Sequence, residues 1–274
     1  MPELPEVETI ARGLSQRVIG DMIESVWLGT KPEPLKSSAS EIAAVLEHSR
    51  ILDVRRAGKH IVFDLEPVQN GPASPRNRAQ WIVHLGMTGS LLICPADSEL
   101  AKHTHAVLQL ASGRELRFVD PRRFGRLSVI EKFEAPGAEP LEIDFKRFAT
   151  LFRGRKTPIK SALLNQKLLS GVGNIYADEA LFRAGVRPRR RAASLSRDEL
   201  KRLCSALKRV LKEAIRLGGS SVSDYVDSTG EEGFFQLKHR VYGREGEPCL
   251  VCKTPIKRIV IAGRSSHSCP RCQK

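Results

Sequence analysis

No stretch of the chain approaches the run of about 18 apolar residues that a membrane span requires, which excludes an integral helical membrane protein. The opening residues, Met1-Pro2-Glu3-Leu4-Pro5-Glu6, are acidic and lack the apolar core of a secretion signal. The expected compartment is therefore the cytoplasm, where disulfides are rare. Internal repeats and long low-complexity tracts are also missing. Acidic residues are scarce in one half only. Residues 151–274 hold 11 Asp+Glu against 26 Lys+Arg, whereas residues 1–150 hold 20 against 19. What remains is a chain of 274 residues, 41% hydrophobic, with net charge +14. That is ample for a real core in one large or two modest domains, and it excludes wholesale disorder.

The charge excess points to nucleic acid or an anionic membrane. Within the basic half, Arg183–Arg216 carries 12 basic and 3 acidic residues, and Phe235–Lys274 carries 9 and 2. Any one such run can be a solvated helix face, but two in succession with the same bias suit a phosphate backbone. A membrane-surface helix would need bulky apolar residues opposite the charges. Leu200, Leu203, Leu207, Val210, Leu211 and Ala214 recur at helical spacing without an aromatic anchor, so that stripe reads as core, and no membrane partner is expected.

Pro5 begins a helical pattern in which Val7, Ile10, Ala11, Leu14 and Val18 share one face and Gly20 is the stop. Short strand-like runs follow at Met22–Leu28, Ile51–Arg56, Ile61–Leu65, Trp81–His84, Ser90–Cys94, Ala106–Leu110, Glu115–Phe118 and Arg126–Ile130, with a helix over Ser40–His48. Many short strands between turns suggest a β-sandwich or barrel. Val68–Ala79, rich in Pro, Gly, Asn and Arg, reads as an exposed loop. Ala135–Pro140 is the best domain boundary. Beyond it, Phe145–Leu151, Ile159–Leu164, Ala177–Ala184 and Arg197–Leu217 read as helices. The fold class is α+β.

Four of the six cysteines form Cys249-x2-Cys252-x16-Cys269-x2-Cys272, a tetrahedral thiolate pattern for one zinc ion. The alternative is two disulfides. Four protein ligands leave no open position, so such a metal is structural. Ile256–Ala262 and the turn Gly263–Ser266 make a β-hairpin between the pairs, with Arg264 on its turn. Cys94 and Cys204 stand alone and read as small buried residues.

Pro2 follows the initiator methionine, which is usually removed before a small residue. Its secondary amine would then be free. A generic α-amino group has a pKa of ~7.7–8 against ~10.4 for lysine, so far more of it is unprotonated at neutral pH. Such an amine can attack a sugar C1′, displace a base and form an iminium, an electron sink for elimination. Glu3 could serve as acid or base beside it. The plain reading is a helix N-terminus in which acidic residues meet the dipole, and for Glu6 and Glu8 that reading is preferred.

Pro2-Glu3-Leu4-Pro5-Glu6-Val7-Glu8-Thr9 resembles the opening of bacterial formamidopyrimidine-DNA glycosylases, the 8-oxoguanine repair enzymes. The resemblance continues through His84-Leu85-Gly86-Met87-Thr88-Gly89, Asp120-Pro121-Arg122-Arg123-Phe124-Gly125 and Gly171-Val172-Gly173-Asn174-Ile175-Tyr176. It closes with Val241-Tyr242-Gly243-Arg244 and the cysteines, covering essentially the whole chain in the family's order. It implies an N-terminal catalytic β-sandwich (1–135), a helix–two-turns–helix domain (141–235) with a lesion-recognition loop at 218–235, and a zinc finger (240–274). It implies that Pro2 attacks C1′, that Glu3 is the acid, that Lys59 is essential, and that Arg264 serves the final δ-elimination. Met87, Arg122 and Phe124 would fill the gap left by an extruded base, since a duplex hides C1′ and the nucleotide must be flipped. His103, Arg155 and Asn174 are the further DNA contacts. Gly171–Asn174 would cradle a phosphate at a helix start, helped by Arg153, Arg155, Lys156 and Lys160.

The partner implied is double-stranded DNA with a damaged base, and the protein would act as a monomer in a bacterial cytoplasm, associated with the nucleoid through DNA. Ser221 and Asp227 depart from the Thr and Asn expected in the recognition loop, which bears on the lesion spectrum. A sister class that excises oxidised pyrimidines opens with Gly where this chain has Leu4 and has a shorter loop. A non-enzymatic zinc DNA-binding protein would lack the need for Pro2, Glu3, Lys59 and Arg264.

Overall fold

Glu3 ends an extended segment and takes the N-cap position of helix α1 (Leu4–Val18), with Pro5 in its first turn. The apolar residues at three- and four-residue spacing, Leu4, Val7, Ile10, Ala11, Leu14 and Val18, are all buried. The computed structural model describes residues 1–67, 79–222 and 225–274. Of the loop read at Val68–Ala79, only Ala79 lies among them, and it begins a strand. The chain divides into two units, Met1–Glu134 with Gly218–Gly233, and Ala135–Leu217 with Phe234–Lys274.

In the first unit the strands are β1 (Ile23–Leu28), β2 (Ser49–Ala57), β3 (His60–Pro67), β4 (Ala79–His84), β5 (Ser90–Pro95), β6 (Thr104–Leu110), β7 (Arg114–Val119) and β8 (Arg126–Ile130), with α2 (Ala39–Leu46) after β1. They form two antiparallel four-stranded sheets, ordered β2-β3-β4-β8 and β1-β6-β7-β5. Alternating residues of both sheets enter one core. Ile51, Ile61, Phe63, Trp81, Val83 and Leu127 come from the first sheet, and Ile23, Leu91, Leu108, Leu116 and Phe118 from the second, with α1 alongside. Burying each of these large side chains stabilises the fold by about 1.5–3 kcal/mol before entropy is counted. Of the sandwich or barrel that the spacing of short strands suggests, this is the sandwich.

Register decides which loops come together. Ala57 pairs with His60, so Gly58 and Lys59 form a two-residue hairpin turn. Gly58 has φ +63°, the value that favours glycine at the first turn position. His60 in turn pairs with His84, the last residue of β4. The Lys59 tip and the Leu85–Gly89 loop therefore lie at one end of the same sheet.

The second unit holds α3 (Phe145–Phe152), α4 (Ile159–Leu163), α5 (Asn174–Ala184), α6 (Arg197–Arg216) and the hairpin β9 (Lys257–Ile261)–β10 (Arg264–Ser268). Ser196 caps α6 in a reciprocal box with Glu199. The stripe from Leu200 to Ala214 is buried throughout, as a core face. The cysteine-rich end is not a detached finger. Phe182 of α5 shares a small core with Val241, Cys249, Ile256 and Cys269. Glu179 of α5, fully buried, accepts hydrogen bonds from the backbone N–H groups of Arg240, Val241 and Tyr242.

Three boundaries differ from the linear reading. Segment 218–233, placed by sequence with the helical domain, packs with the sandwich, because Tyr225 joins that core and Ser228 C=O accepts from Ile93 N–H. Helix α5 starts at Asn174 rather than Ala177. The zinc hairpin turns at Ala262-Gly263, both at positive φ, so Arg264 is the first residue of β10, paired with Ile261, and is not in the turn itself.

Candidate active site and nucleic-acid interface

Pro2 is buried, and Glu3 beside it is only 3% exposed. The Glu6 carboxylate fixes this start of the helix: Oε2 accepts from Glu3 N–H and Oε1 from Ser220 N–H, each at 2.8 Å. Glu6 thus ties α1 to segment 218–233 as well as meeting the helix dipole. Gly219 is required there, with φ +85° and a Cβ position 2.9 Å from Glu6 Oε1. The Tyr225 hydroxyl donates to Gly218 C=O at 3.0 Å. Burial, then the Glu6 charge, pushes the Tyr225 phenol well above its ordinary range, so it is a donor and not a titrating group.

Lys59 is 9% exposed. The turn that carries it is braced from α1: Glu8 accepts from Arg56 Nε at 2.7 Å, and Arg56 donates to Gly58 C=O at 3.2 Å. Burial raises the Glu8 carboxyl, but the hydrogen bonds and charges of Arg56 and then Arg12 outweigh it and hold it below its usual value. The rings of His60 and His84 lie 4.9 Å apart. His84 is depressed to about 4, by burial first and then by the charges of His60, Lys59 and Arg126. Its Nδ1 accepts from Gly86 N–H at 3.1 Å, so the neutral ring carries its proton on Nε2.

Met87 is 41% exposed at the tip of the β4–β5 loop, and Phe124 is 50% exposed in the β7–β8 loop. Position alone leaves a core methionine open, and the structure makes it a surface tip. The Arg122 guanidinium lies 4.7 Å over the Phe124 ring. His103 is exposed, at φ +73°. All seven of these unit-one residues, Pro2, Glu3, Lys59, Met87, His103, Arg122 and Phe124, therefore belong to one packed body.

The second unit holds Arg155, Asn174, Arg264 and the cysteines. Arg155 and Arg264 are exposed. Asn174 opens α5 behind the N-cap Gly173, which has no side chain of its own to cap the helix. Its Nδ2 donates to Ser265 Oγ at 3.3 Å, which ties the start of α5 to the residue after Arg264. Lys160 differs from the DNA-facing role its basic neighbours suggest. It is fully buried, 2.7 Å from Asp178 Oδ1, and also donates to Ser265 C=O. Sequence spacing carries no signal that singles it out of the run Arg153–Lys160.

The sulfurs of Cys249, Cys252, Cys269 and Cys272 all lie within 4.8 Å of one another. Cys249 and Cys272 are 3.9 Å apart and Cys252 and Cys269 3.4 Å, too far for disulfide bonds. A tetrahedral site with Zn–S of about 2.3 Å places its sulfurs about 3.8 Å apart. The four thiols are suited to hold one structural zinc ion, and the pair of disulfides is excluded by the geometry.

Three family models match the chain: the formamidopyrimidine-DNA glycosylase N-terminal domain over residues 1–127, the H2TH domain of the same enzymes over 136–226, and a zinc finger found in FPG and IleRS over 246–274. The chain is 46% identical to the formamidopyrimidine-DNA glycosylase of Solibacter usitatus, with all of both chains covered. It superimposes on the Fpg protein of Thermus thermophilus with a TM-score of 0.85 at 43% identity, covering 99% of this chain and 98% of that one. It also matches a Lactococcus lactis Fpg variant in complex with Fapy-dG-containing DNA, with a TM-score of 0.88 at 32% identity and both chains fully covered.

Proposed function

The chain belongs to the formamidopyrimidine-DNA glycosylase family of DNA-repair enzymes, and on that premise we propose that it excises oxidised purines from duplex DNA and then cleaves the strand, through a covalent intermediate on Pro2. The observation that carries this reading is the buried Pro2–Glu3 pair at the start of α1, braced by Glu6.

Removal of Met1 frees the Pro2 nitrogen, and burial favours its neutral, nucleophilic form. The nitrogen bonds to C1′ as the bond from C1′ to the base breaks. The base leaves with the bonding pair and takes up a proton in place of the one the Pro2 nitrogen gives up, while Glu3 gives its proton to the sugar ring oxygen as the ring opens to the iminium. The resulting iminium acidifies the C2′ hydrogen. Loss of that proton expels the 3′ phosphate, a second elimination assigned to Arg264 expels the 5′ phosphate, and water releases Pro2. Lys59 supplies the cation of the Pro2 unit. Met87, Arg122 and Phe124 occupy the space of the extruded nucleotide and offset part of its unstacking. His103, Arg155 and Asn174 contact the backbone. The zinc ion, held by the four cysteines, fixes the hairpin that carries Arg264 and takes no part in the steps.

Borohydride reduction of the iminium on an 8-oxoguanine duplex should crosslink the mature protein. A variant with an extra residue retained before Pro2 should give no crosslink. An undiminished crosslink from that variant rules out the Pro2 assignment, and preference for a thymine glycol duplex over 8-oxoguanine rules out the purine assignment.

A further inference from the structure

The loops that carry the unit-one residues assigned to the DNA interface beyond the Pro2 pocket meet on one residue, Asp120, which is wholly inaccessible to solvent. Oδ1 accepts from the Thr88 hydroxyl at 2.6 Å and from Arg122 N–H at 3.2 Å. Oδ2 accepts from Gly125 N–H at 2.7 Å. The main chain of the same residue is equally engaged. Its N–H donates to His103 C=O at 3.0 Å, and its C=O accepts from Arg123 N–H at 3.2 Å and from His105 Nε2 at 3.0 Å.

These bonds reach three loops. Thr88 is next to Met87, Gly125 is next to Phe124, and Arg122 and His103 are bonded directly. His103 and Arg123 both hold positive φ, +73° and +57°, a conformation that non-glycine residues keep only when their surroundings impose it. The loops also meet backbone to backbone. A Cβ on Gly86 would lie 2.5 Å from Gly125 N and from Phe124 C, and one on Gly125 would lie 2.4 Å from the Phe118 ring. Nothing in this packing provides the charge that three donors converge upon except Asp120.

We propose that Asp120 is a positioning residue for base extrusion: its carboxylate sets the Met87 tip and the Arg122–Phe124 pair in a common register, and its main-chain N–H holds the His103 loop beside them, so that wedge and backbone contact enter the duplex together. The inference rests on the function proposed above, in which those four residues meet DNA. It predicts a defect specific to the flipping of a paired nucleotide. Covalent attack on a sugar that is already unpaired does not need the wedge.

The test compares D120N and T88V with the unaltered protein on two substrates, an 8-oxoguanine duplex and a single strand with a preformed abasic site. D120N keeps the volume but loses one acceptor and the charge, and T88V removes one arm of the hub. The ratio of duplex excision to single-strand borohydride trapping should fall about 10- to 100-fold in D120N, as charge-assisted hydrogen bonds are lost, and less in T88V. A 2-aminopurine beside the lesion should show a correspondingly reduced fluorescence rise on binding. An unchanged ratio and an unchanged fluorescence rise in both variants would overturn the proposal. Should D120N fail to fold, the T88V ratio decides. Failure of the unaltered protein to trap on the abasic strand would instead strike the proposed function, and this inference with it.

Discussion

Lys160 and Asp178 form an ion pair at 2.7 Å with both side chains shut off from solvent. Asp178 is shared further. Its Oδ1 accepts from Ser266 Oγ at 3.2 Å and its Oδ2 from His267 N–H at 2.9 Å, while Lys160 donates to Ser265 C=O. One pair of charges thus joins α4 and α5 to β10, the strand that begins with Arg264.

Breaking that pair from one side should be costly. K160M or D178N leaves a buried charge without its partner, so each should lower unfolding stability by about 3–5 kcal/mol. The double variant should lose much less than the sum of the two, because it buries no lone charge. Urea unfolding of the three variants checks this. Additive losses would show that the two side chains are not coupled.

The Glu6 clamp should be visible in the motion of segment 218–233. E6A removes the acceptors of Glu3 N–H and Ser220 N–H, two buried donors, at about 1–3 kcal/mol each. Amide exchange at Ser220 should speed up by at least about tenfold, in proportion to a loss of about 1.4 kcal/mol. E6Q keeps one carbonyl oxygen and should fall between. Unaltered exchange in E6A would mean that the segment is held by contacts other than Glu6, such as those of Tyr225 and Ser228.

Much of this architecture was legible in the sequence. The period-3.6 pattern of α1 and α6, the alternation in β2 to β8 and the cysteine spacing each reflect a local rule, and each element lies within a few residues of its predicted span. What sequence could not supply was the partner of each buried charge. Glu6 reads as a dipole-favoured acid, Lys160 as one cation in a basic run, and Asp120 as part of a motif without a role. Their functions depend on residues 214, 18 and 32 positions away. The hairpin turn was displaced for a related reason. Gly263 marks it, but Ala262 at φ +47° is not a residue that announces a left-handed turn position.

Acid should weaken the protein through two histidines that the fold holds neutral, His84 and His239. His84 lies at about 4 in the fold against an ordinary 6.5, and His239 at about 4, both chiefly by burial. Between pH 6.5 and 4 the unfolded chain takes up protons that the folded chain refuses. The stability present above pH 6.5 is therefore lost progressively as pH falls, by up to about 3 kcal/mol per histidine, and the loss levels off below 4. H84N cannot titrate, and its amide oxygen can still accept from Gly86 N–H. It should remove about half of the acid-dependent loss attributed to these two groups. Thermal unfolding from pH 7.5 to 4 tests this, and an identical profile for H84N would show that His84 is not held neutral.

The charge asymmetry makes the last expectation quantitative. Residues 151–274 carry a net +15 and residues 1–150 a net −1, so the grip on undamaged duplex should come from the second part and should weaken steeply with salt. For Z phosphates neutralised, log K falls with log salt at a slope of about −0.9 Z. Arg155 is exposed in the loop after α3, and its guanidinium donates through Nε to Leu151 C=O of that helix. R155A should weaken binding to any sequence and reduce the slope by about one, without changing stability by more than about 0.5 kcal/mol. R114A is the control: Arg114 lies on the near-neutral sandwich and bonds Ser112 and Arg17, so its loss should leave the slope in place. Fluorescence anisotropy across a salt series separates the two. A slope that responds equally to both variants would show that the grip on undamaged duplex is shared by the sandwich rather than supplied by the basic half.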